Sequence, residues 1–302
     1  MKIKKNSNHI RYSTSDKILQ AVVYTLVILL LVIIIYPLVY VVSSSFSSGS
    51  AVSSGRVLLW PVEFSLDGYE AVFAYKQIWV GYKNTVFYTI VGTCLNLVLT
   101  VMAAYPLSRA NFQGKGIYMT IFMITMFVSG GLIPNYILMT QLKLTNTRAA
   151  LILSGALSVY NMTIMRTFFR SSIPGDLLDA AKIDGITDIG YLFKIVLPLS
   201  KAIISVICLY YAVAHWNSYF NAMLYLRDST LEPLQTVLRS ILISGKVDLS
   251  NITDPEMLAK MQGMQDLMKN AIIVVSSVPM LVAYPFVQKF FEKGVMIGSV
   301  KG

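Results

Sequence analysis

The sequence contains 302 residues, of which 55% are hydrophobic and only 13% are charged. Soluble globular domains carry about a quarter charged residues, so this composition excludes an ordinary soluble protein and indicates a membrane protein. The formal net charge is +10. This charge would fit a nucleic-acid partner only if it were not concentrated at one face of the membrane. Two cysteines and two histidines are too few for a disulfide framework or a metal centre, and neither is predicted.

Six apolar segments follow one another along the chain, and each is long enough to cross a bilayer as a helix. A membrane-spanning helix needs about 20 mostly apolar residues. The backbone polar groups of a spanning segment must be satisfied within it, which favours helices. The predicted spans cover residues 18–42, 82–107, 117–138, 148–168, 201–226 and 268–291. The sequence therefore predicts an all-α integral membrane protein with six transmembrane helices.

The predicted organisation is a single membrane domain between two tails. The tails cover residues 1–17 and 292–302, and the six-helix transmembrane domain covers residues 18–291. The first apolar run is longer than the core of about 7–15 residues in a signal peptide, so we expect it to be retained as a span. The third span contains Gly130, Gly131 and Pro134, which should loosen or kink its helix.

Most of the 25 lysines and arginines fall on one side of the membrane if the six spans alternate in direction. Basic residues are enriched in short cytoplasmic loops. This rule places both termini in the cytoplasm. The excess positive charge then belongs to the cytoplasmic face of a multi-pass protein in contact with membrane lipid, and no nucleic-acid partner is predicted.

The segment between spans 4 and 5, residues 171–200, is amphipathic and would lie in the cytoplasm. Its sequence predicts two short helices. Ser172 can cap the first helix, Gly185 can end it with a positive φ angle, and Thr187 can cap the second. Pro198 would then begin span 5. On periodicity alone, an amphipathic loop lying on the membrane surface fits this segment equally well.

One pattern in this segment resembles a loop of a known transporter family. It reads D-A-A, three residues, Gly, nine residues, I-x-L-P, and its fixed residues are Asp179, Ala180, Ala181, Gly185, Ile195, Leu197 and Pro198. The pattern resembles the E-A-A loop of the permease subunits of binding-protein-dependent ABC importers, with Asp in place of the first Glu. Stretches such as "GGLIPNYIL" and "HWNSYFNAMLYL" are similar to the carbohydrate-uptake branch of that family, and within it to permeases for complex oligosaccharides.

The resemblance implies a permease subunit of the bacterial cell membrane that imports carbohydrate, specifically an oligosaccharide. It implies three kinds of partner: a second related permease in a heterodimer, two cytoplasmic ATPase subunits, and an extracytoplasmic sugar-binding protein. Residues 171–200 would be a cytoplasmic coupling-helix loop between helices 4 and 5, with the fixed residues seated against an ATPase. The sequence contains no G-x-x-x-x-G-K-[ST] phosphate loop. We therefore expect no enzyme activity and no cofactor on this chain, with ATP and Mg²⁺ bound by the partner subunits.

Polar and aromatic residues within spans 4 and 5 are candidates for a substrate path. Polar side chains inside a membrane tend to face a bundle interior or a water-filled cavity. Aromatic rings offer apolar faces to a sugar ring, while amides offer hydrogen bonds to its hydroxyls. The candidates are Tyr160, Asn161, Tyr210, Tyr211, His215, Trp216, Asn217, Tyr219 and Asn221.

Two other interpretations of these residues remain open. Interhelical packing, or an aromatic belt at the membrane interface, would explain the same residue types. The alternative function is a stand-alone ion- or proton-coupled secondary transporter, in which His215 would relay a proton. Such a transporter should carry inverted repeats and ionisable residues near the middle of the membrane. The predicted spans lack central Asp, Glu, Lys and Arg residues.

Overall fold

The computed structural model of the chain describes residues 13–244 and 255–299, with side chains described over residues 13–243 and 261–285. Within these residues every regular element is helical, so the all-α class is confirmed. Residues 1–12 of the predicted N-terminal tail and residues 300–302 of the predicted C-terminal tail lie outside the described part.

The described α-helices range in length from 3 to 45 residues. In chain order they are α1 Thr14–Ser45, α2 Gly49–Ser53, α3 Asp67–Ala74, α4 Lys76–Ser108, α5 Lys115–Phe127, α6 Leu132–Gln141, α7 Arg148–Leu153, α8 Val159–Ser171, α9 Asp176–Ile183, α10 Asp188–Tyr191, α11 Leu197–Leu199, α12 Lys201–Trp216, α13 Phe220–Tyr225, α14 Leu234–Ser244 and α15 Pro255–Ser299. A π-helical turn, Leu192–Val196, joins α10 to α11, and a 3₁₀ turn, Ser229–Leu231, precedes α14.

Three helical segments in the described part are long and apolar enough to cross a membrane by themselves. They are α1, α4 and the stretch Met261–Pro285 of α15. These segments correspond to the predicted spans 1, 2 and 6. The chain is therefore a multi-pass membrane protein by the length and composition of its helices.

Two further candidate spans are helix pairs with a sharp bend. Helices α5 and α6 meet at 114°, and the segment Asp188–Leu199 meets α12 at 82°. The first bend lies in the region of Gly130, Gly131 and Pro134, where a loosened or kinked helix is expected from the sequence. Gly131 precedes α6 with φ 83°, a conformation that favours glycine. The expected kink in span 3 is thus a complete break, and span 5 ends at Trp216 rather than continuing to residue 226.

The predicted span 4 is interrupted in the structure. Helix α7 ends at Leu153, and α8 begins at Val159 after a link in which Gly155 has φ 80°. Ser158 then caps α8 by accepting a hydrogen bond from the N–H of Asn161. Neither helix reaches the length of about 20 residues that a span needs. The described part therefore has three candidate spans, or five if each bent pair is one span, and the count of six stays a prediction.

Contacts within the chain divide it into two compact units, Met1–Glu70 with Leu249–Val274, and Ala71–Asp248 with Val275–Gly302. The first unit has a small apolar core of Ala51, Val52, Val57 and Leu267. An exposed ion pair joins Arg56 Nη1 to Glu63 Oε1 at 2.8 Å. Hydrogen bonds from Arg56 and then from Ser48 lower the pKa of Glu63 to about 2, so this carboxylate stays ionised at any physiological pH.

Helix α4 is the centre of the second unit. Helices α12, α8, α14 and α7 all pack against it. The larger apolar core of this unit contains the buried side chains of Met162, Met165, Phe169, Tyr191 and Ile207. These contacts hold α8 and α12 on one scaffold, and those two helices carry the candidate substrate residues.

Candidate functional site

A cavity of about 760 Å³ lies within the second unit, between α8, α12, α14 and α15. Ligand-binding cavities generally occupy about 300–1,000 Å³, so this one is large enough for several sugar rings or one larger molecule. Its polar and aromatic lining consists of Tyr160, Asn161, Tyr210, Trp216, Asn217, Gln235, Ser276, Ser277 and Tyr284. The remaining lining residues are the apolar Leu209, Val213, Ala214, Met280 and Leu281.

Helical periodicity explains how α12 builds one wall of the cavity. Tyr210, Val213, Ala214 and Asn217 follow the spacing i, i+3, i+4, i+7 and so share one face. Asn217 caps the C-terminus of α12, where its Nδ2 donates to the carbonyl oxygen of Val213 at 3.0 Å. This hydrogen bond fixes the side-chain amide of Asn217 at the C-terminal end of α12. Its Oδ1 accepts no hydrogen bond from the described residues.

The aromatic side chains of the cavity differ in how far they are exposed and in whether they form hydrogen bonds. Trp216 is buried, and its Nε1 donates to the carbonyl oxygen of Ser276 at 3.2 Å. Its ring also meets that of Tyr82 edge-on, with centroids 6.4 Å apart. Tyr160 and Tyr210 are 56% and 43% exposed, so their rings remain available to a ligand. Tyr284 is 55% exposed as well, so the cavity combines one fixed indole with three open phenol rings.

The described part of the cavity wall is electrically neutral. No Asp, Glu, Lys or Arg is among the described residues that line it. Its polar groups are amides, hydroxyls and the fixed indole, which exchange hydrogen bonds with hydroxyl groups but do not bind a charged group strongly. This lining favours a hydroxyl-rich ligand with apolar faces.

Five of the nine sequence-predicted path residues meet at this cavity: Tyr160, Asn161, Tyr210, Trp216 and Asn217. The other four lie elsewhere, beginning with Tyr211 and His215 on the adjacent face of α12. The hydroxyl of Tyr211 is 2.8 Å from the hydroxyl of Thr100 and accepts a hydrogen bond from the N–H of Ser158 at 3.1 Å. His215 is buried against Gly92 of α4, where an added Cβ would lie 2.4 Å from the imidazole ring. Both side chains therefore join α12 to its neighbours.

The remaining two predicted residues, Tyr219 and Asn221, follow α12. The guanidinium of Arg239 lies over the ring of Tyr219, 5.5 Å from its centroid. Asn221 Nδ2 donates to Ser154 Oγ at 3.1 Å, which connects α13 to the link after α7. Neither residue lines the cavity.

Four further residues line the cavity and were not predicted from the sequence: Gln235, Ser276, Ser277 and Tyr284. Paired serines within the apolar stretch "AIIVVSSVPM" of the sixth predicted span were the available signal. Gln235 gives no such signal, because it lies outside every predicted span.

The loop of residues 171–200 contains helix α9 and the continuous helical segment Asp188–Leu199, which consists of α10, the π-helical turn and α11, with a defined turn between the two. Helix α9 ends in a Schellman motif: the N–H of Gly185 donates to Lys182 O at 3.1 Å and that of Ile186 to Ala181 O at 2.9 Å. Gly185 has φ 71°, as predicted. Thr187 caps α10, as also predicted, by accepting from the N–H of Gly190. The prediction for Ser172 is wrong, because α9 begins at Asp176 and Ser172 instead caps the end of α8.

The two sides of this loop differ in exposure. Ala181 and Tyr191 are buried in the large core. Ile183 and Ile189 are 88% and 70% exposed. Among the other fixed residues of the pattern, Asp179, Ala180, Gly185 and Pro198 are exposed, while Ile195 and Leu197 are partly buried. One side of the loop is therefore anchored in the chain, and the other presents large apolar side chains that the described residues do not cover.

The loop is tied directly to the end of α4. The hydroxyl of Tyr105 donates to the carbonyl oxygen of Asp188 at 2.9 Å. The guanidinium of Arg109 lies between two rings, 4.7 Å from the centroid of Tyr105 and 5.1 Å from that of Tyr191. A displacement of the loop would therefore act on α4, against which α8 and α12 pack.

The adjacent tyrosines of α12 give a test of these placements. Tyr211→Phe removes a hydroxyl that pairs with Thr100 and with the N–H of Ser158. Leaving such groups unpaired costs about 1–3 kcal/mol, so we expect a lower free energy of unfolding. Tyr210→Phe removes a cavity-wall hydroxyl that has no partner among the described residues, and it should change stability by less than about 0.5 kcal/mol. Equal losses in a denaturation assay of the two purified variants would contradict the assignment.

The comparisons with known proteins agree on the kind of protein. No family model matches the sequence. The chain is 38% identical over 287 residues to the polygalacturonan/rhamnogalacturonan transport system permease protein YtcP of Bacillus subtilis (strain 168), covering 95% of this chain and 99% of the relative. It is also 38% identical over 267 residues to Protein LplC of the same organism, covering 88% and 89% of the two chains.

A solved structure is similar as well. One chain of the crystal structure of a bacterial ABC transporter involved in the import of the acidic polysaccharide alginate matches with a TM-score of 0.83 and 35% sequence identity. The match covers 93% of this chain and 99% of that one. The chain thus belongs to the family of permease subunits of ABC transport systems for sugars and oligosaccharides.

Proposed function

We propose that this permease forms one half of the membrane path of an oligosaccharide importer, and that its share of the path is the cavity between α8, α12, α14 and α15. The observation that carries the proposal is the composition of the cavity wall. Open rings of Tyr160 and Tyr210 can stack on the apolar faces of sugar rings. Asn161 and Asn217 can exchange hydrogen bonds with sugar hydroxyls.

Similar proteins support an oligosaccharide as the substrate. One relative is named for polygalacturonan and rhamnogalacturonan, and the solved transporter is described as an importer of the acidic polysaccharide alginate. The described residues of the wall offer no cation to a carboxylate. If the substrate is acidic, its carboxylates therefore require water or the second permease for their compensation.

The partners follow from membership of an ABC system. We infer a second related permease, two ATPase subunits that bind ATP and Mg²⁺, and an extracytoplasmic binding protein that delivers the sugar. No cofactor and no hydrolytic step are assigned to this chain. The distribution of basic residues supports cytoplasmic termini. Helices α7 and α8, taken together as one interrupted span, would complete a set of six.

The loop of residues 171–200 would pass the motion of the ATPase to the membrane path. Its exposed side, with Ile183 and Ile189, offers apolar contact to a partner. Its buried side, with Ala181 and Tyr191, moves with the core. The Gly185 turn holds the two helices at a fixed angle, which a flexible loop could not do.

The surroundings of His215 do not favour a stand-alone proton-coupled transporter. The imidazole is buried against Gly92 and does not line the cavity. Among the described residues that line the cavity, the only ionisable side chains are those of the tyrosines. A proton relay would therefore have no path through this cavity.

Uptake by the reconstituted system tests the function. The chain is reconstituted in vesicles with the second permease, the ATPase and the binding protein of its own operon. Labelled oligosaccharides of uronic acids and neutral oligosaccharides of equal length are then supplied. We expect uptake of at least one class that requires both ATP and the binding protein. Uptake by this chain alone, driven by a proton or sodium gradient, would overturn the proposal.

Two substitutions at the turn test the coupling role. Gly185→Val places a β-branched residue at φ 71°, which costs about 1–3 kcal/mol of local strain and should change the angle between the two helices. Gly185→Asn is the matched control, because Asn tolerates this backbone region. We expect the valine variant to lose most of the sugar-stimulated ATP hydrolysis, while the asparagine variant and sugar capture by the binding protein are preserved. A valine variant that couples like the parent would rule out this role.

A further inference from the structure

A second cavity of the same unit has a chemistry opposite to that of the first. It has a volume of about 210 Å³ and lies where α4 ends, α5 begins and α8 meets α9. Four positively charged side chains line it: Arg109, Lys115, Arg166 and Arg170. No acidic residue is among the described residues of its wall. It is therefore a strongly cationic cavity on the side of the chain that carries the loop of residues 171–200.

The positive charges of this cavity are not compensated within the described part of the chain. None of the four side chains forms an ion pair there. Asp176 and Asp179, in the first turn of the nearby helix α9, are exposed and do not line the cavity. Like charges held together repel one another, and an anion would relieve this repulsion.

The backbone and the aromatic residues hold these cations in place. Arg166 Nε donates to the carbonyl oxygen of Leu107 at 2.9 Å, and Lys115 Nζ donates to that of Ala110 at 3.0 Å. Arg109 is held between the rings of Tyr105 and Tyr191. Its Nε and Nη2 are buried and form no hydrogen bond with the described residues. Three of the four charged groups, those of Arg109, Lys115 and Arg166, are thus positioned before any ligand arrives, which reduces the ordering cost of binding.

We propose that this cavity binds an anionic phosphate group, carried either by the headgroup of an anionic lipid or by free inorganic phosphate. Guanidinium groups form paired hydrogen bonds with phosphate oxygens. The volume is that of about seven liquid water molecules, enough for a phosphate and its immediate substituents. Gly175, the residue before α9, also lines the wall, so the start of that helix borders the cavity.

The position of the cavity favours the lipid over the free ion. It lies where two predicted spans end and begin, at the level where headgroups are expected. The apolar side chains of Leu107, Phe169 and Ile173 form part of its wall and suit the neighbourhood of acyl chains. Basic pockets between transmembrane helices are a recognised setting for anionic headgroups. A bound headgroup would link the start of α9 to the ends of α4 and α8.

Lipid retention by the full-length chain tests this proposal. The chain is purified in detergent, stripped of lipid and offered phosphatidylglycerol or the zwitterionic phosphatidylcholine, with retention measured by native mass spectrometry. In a second arm, thermal unfolding is followed with inorganic phosphate or with chloride at equal ionic strength. Arg109→Gln combined with Arg170→Gln is the test variant. Lys201→Gln, which removes an exposed charge outside the cavity, is the matched control.

We expect the parent and Lys201→Gln to retain phosphatidylglycerol selectively, and the double variant to bind it about tenfold or more weakly. If inorganic phosphate raises the unfolding temperature of the parent but not that of the double variant, the free ion is identified as the ligand. The proposal fails if the double variant binds lipid and phosphate like the parent, or if Lys201→Gln loses as much. A third arm uses the assembled transporter: the proposal also fails if the double variant loses the ATPase there with lipid binding intact, since a carboxylate of that partner would then occupy the cavity.

Discussion

The polar side chains of helix α4 bind groups of the segments packed around it, and the second unit depends on these bonds. Asn84 Nδ2 donates to the carbonyl oxygens of Thr230 and Glu232 at 2.7 and 3.0 Å. Thr85 Oγ1 accepts the N–H of Leu234 at 2.7 Å. A buried polar group in an apolar setting is costly to leave unpaired, so these bonds favour one position of residues 230–234 against α4. Together with the packing of α8 and α12 on α4, these bonds hold α14 beside the other helices that line the cavity.

The same helix connects the cavity to the loop of residues 171–200. At one level, the hydroxyl of Thr100 meets that of Tyr211 on α12. At the C-terminal end, Tyr105 donates to the backbone of α10 and supports one face of Arg109. A rigid displacement of the loop would therefore reach the cavity wall through one continuous helix. The cationic cavity lies at this same end, which makes the end of α4 the point where a bound phosphate would act on the loop.

The sequence was sufficient for features that depend on local chemistry. The lengths of the apolar runs predicted spans 1, 2 and 6, and the Gly185 turn followed from capping rules. The breaks at Gly131 and Gly155 were harder to predict. A glycine in an apolar run permits either a kink or a break, and which of them occurs depends on the packing of distant segments.

The cavity residues show the same limit. Tyr210 and Tyr211 are adjacent and equally suited to a sugar, yet one lines the cavity and the other bonds to Thr100. Periodicity separates the two faces of α12, but only the neighbouring helices decide which face is covered. Gln235 was missed because its role depends on the position of α14 rather than on its own sequence context.

Protection of a single thiol at the cavity wall tests most directly whether sugar passes along this face of α12. In a chain with Cys94→Ala and Cys208→Ala, Asn217→Cys places a thiol on the wall, and Tyr219→Cys places one at an exposed position outside it. Labelling by a membrane-permeant thiol reagent is measured in the assembled transporter during turnover, with and without the loaded binding protein. We predict that sugar slows the labelling of position 217 and leaves that of position 219 unchanged. Equal labelling at position 217 with and without sugar, while transport proceeds, would contradict it.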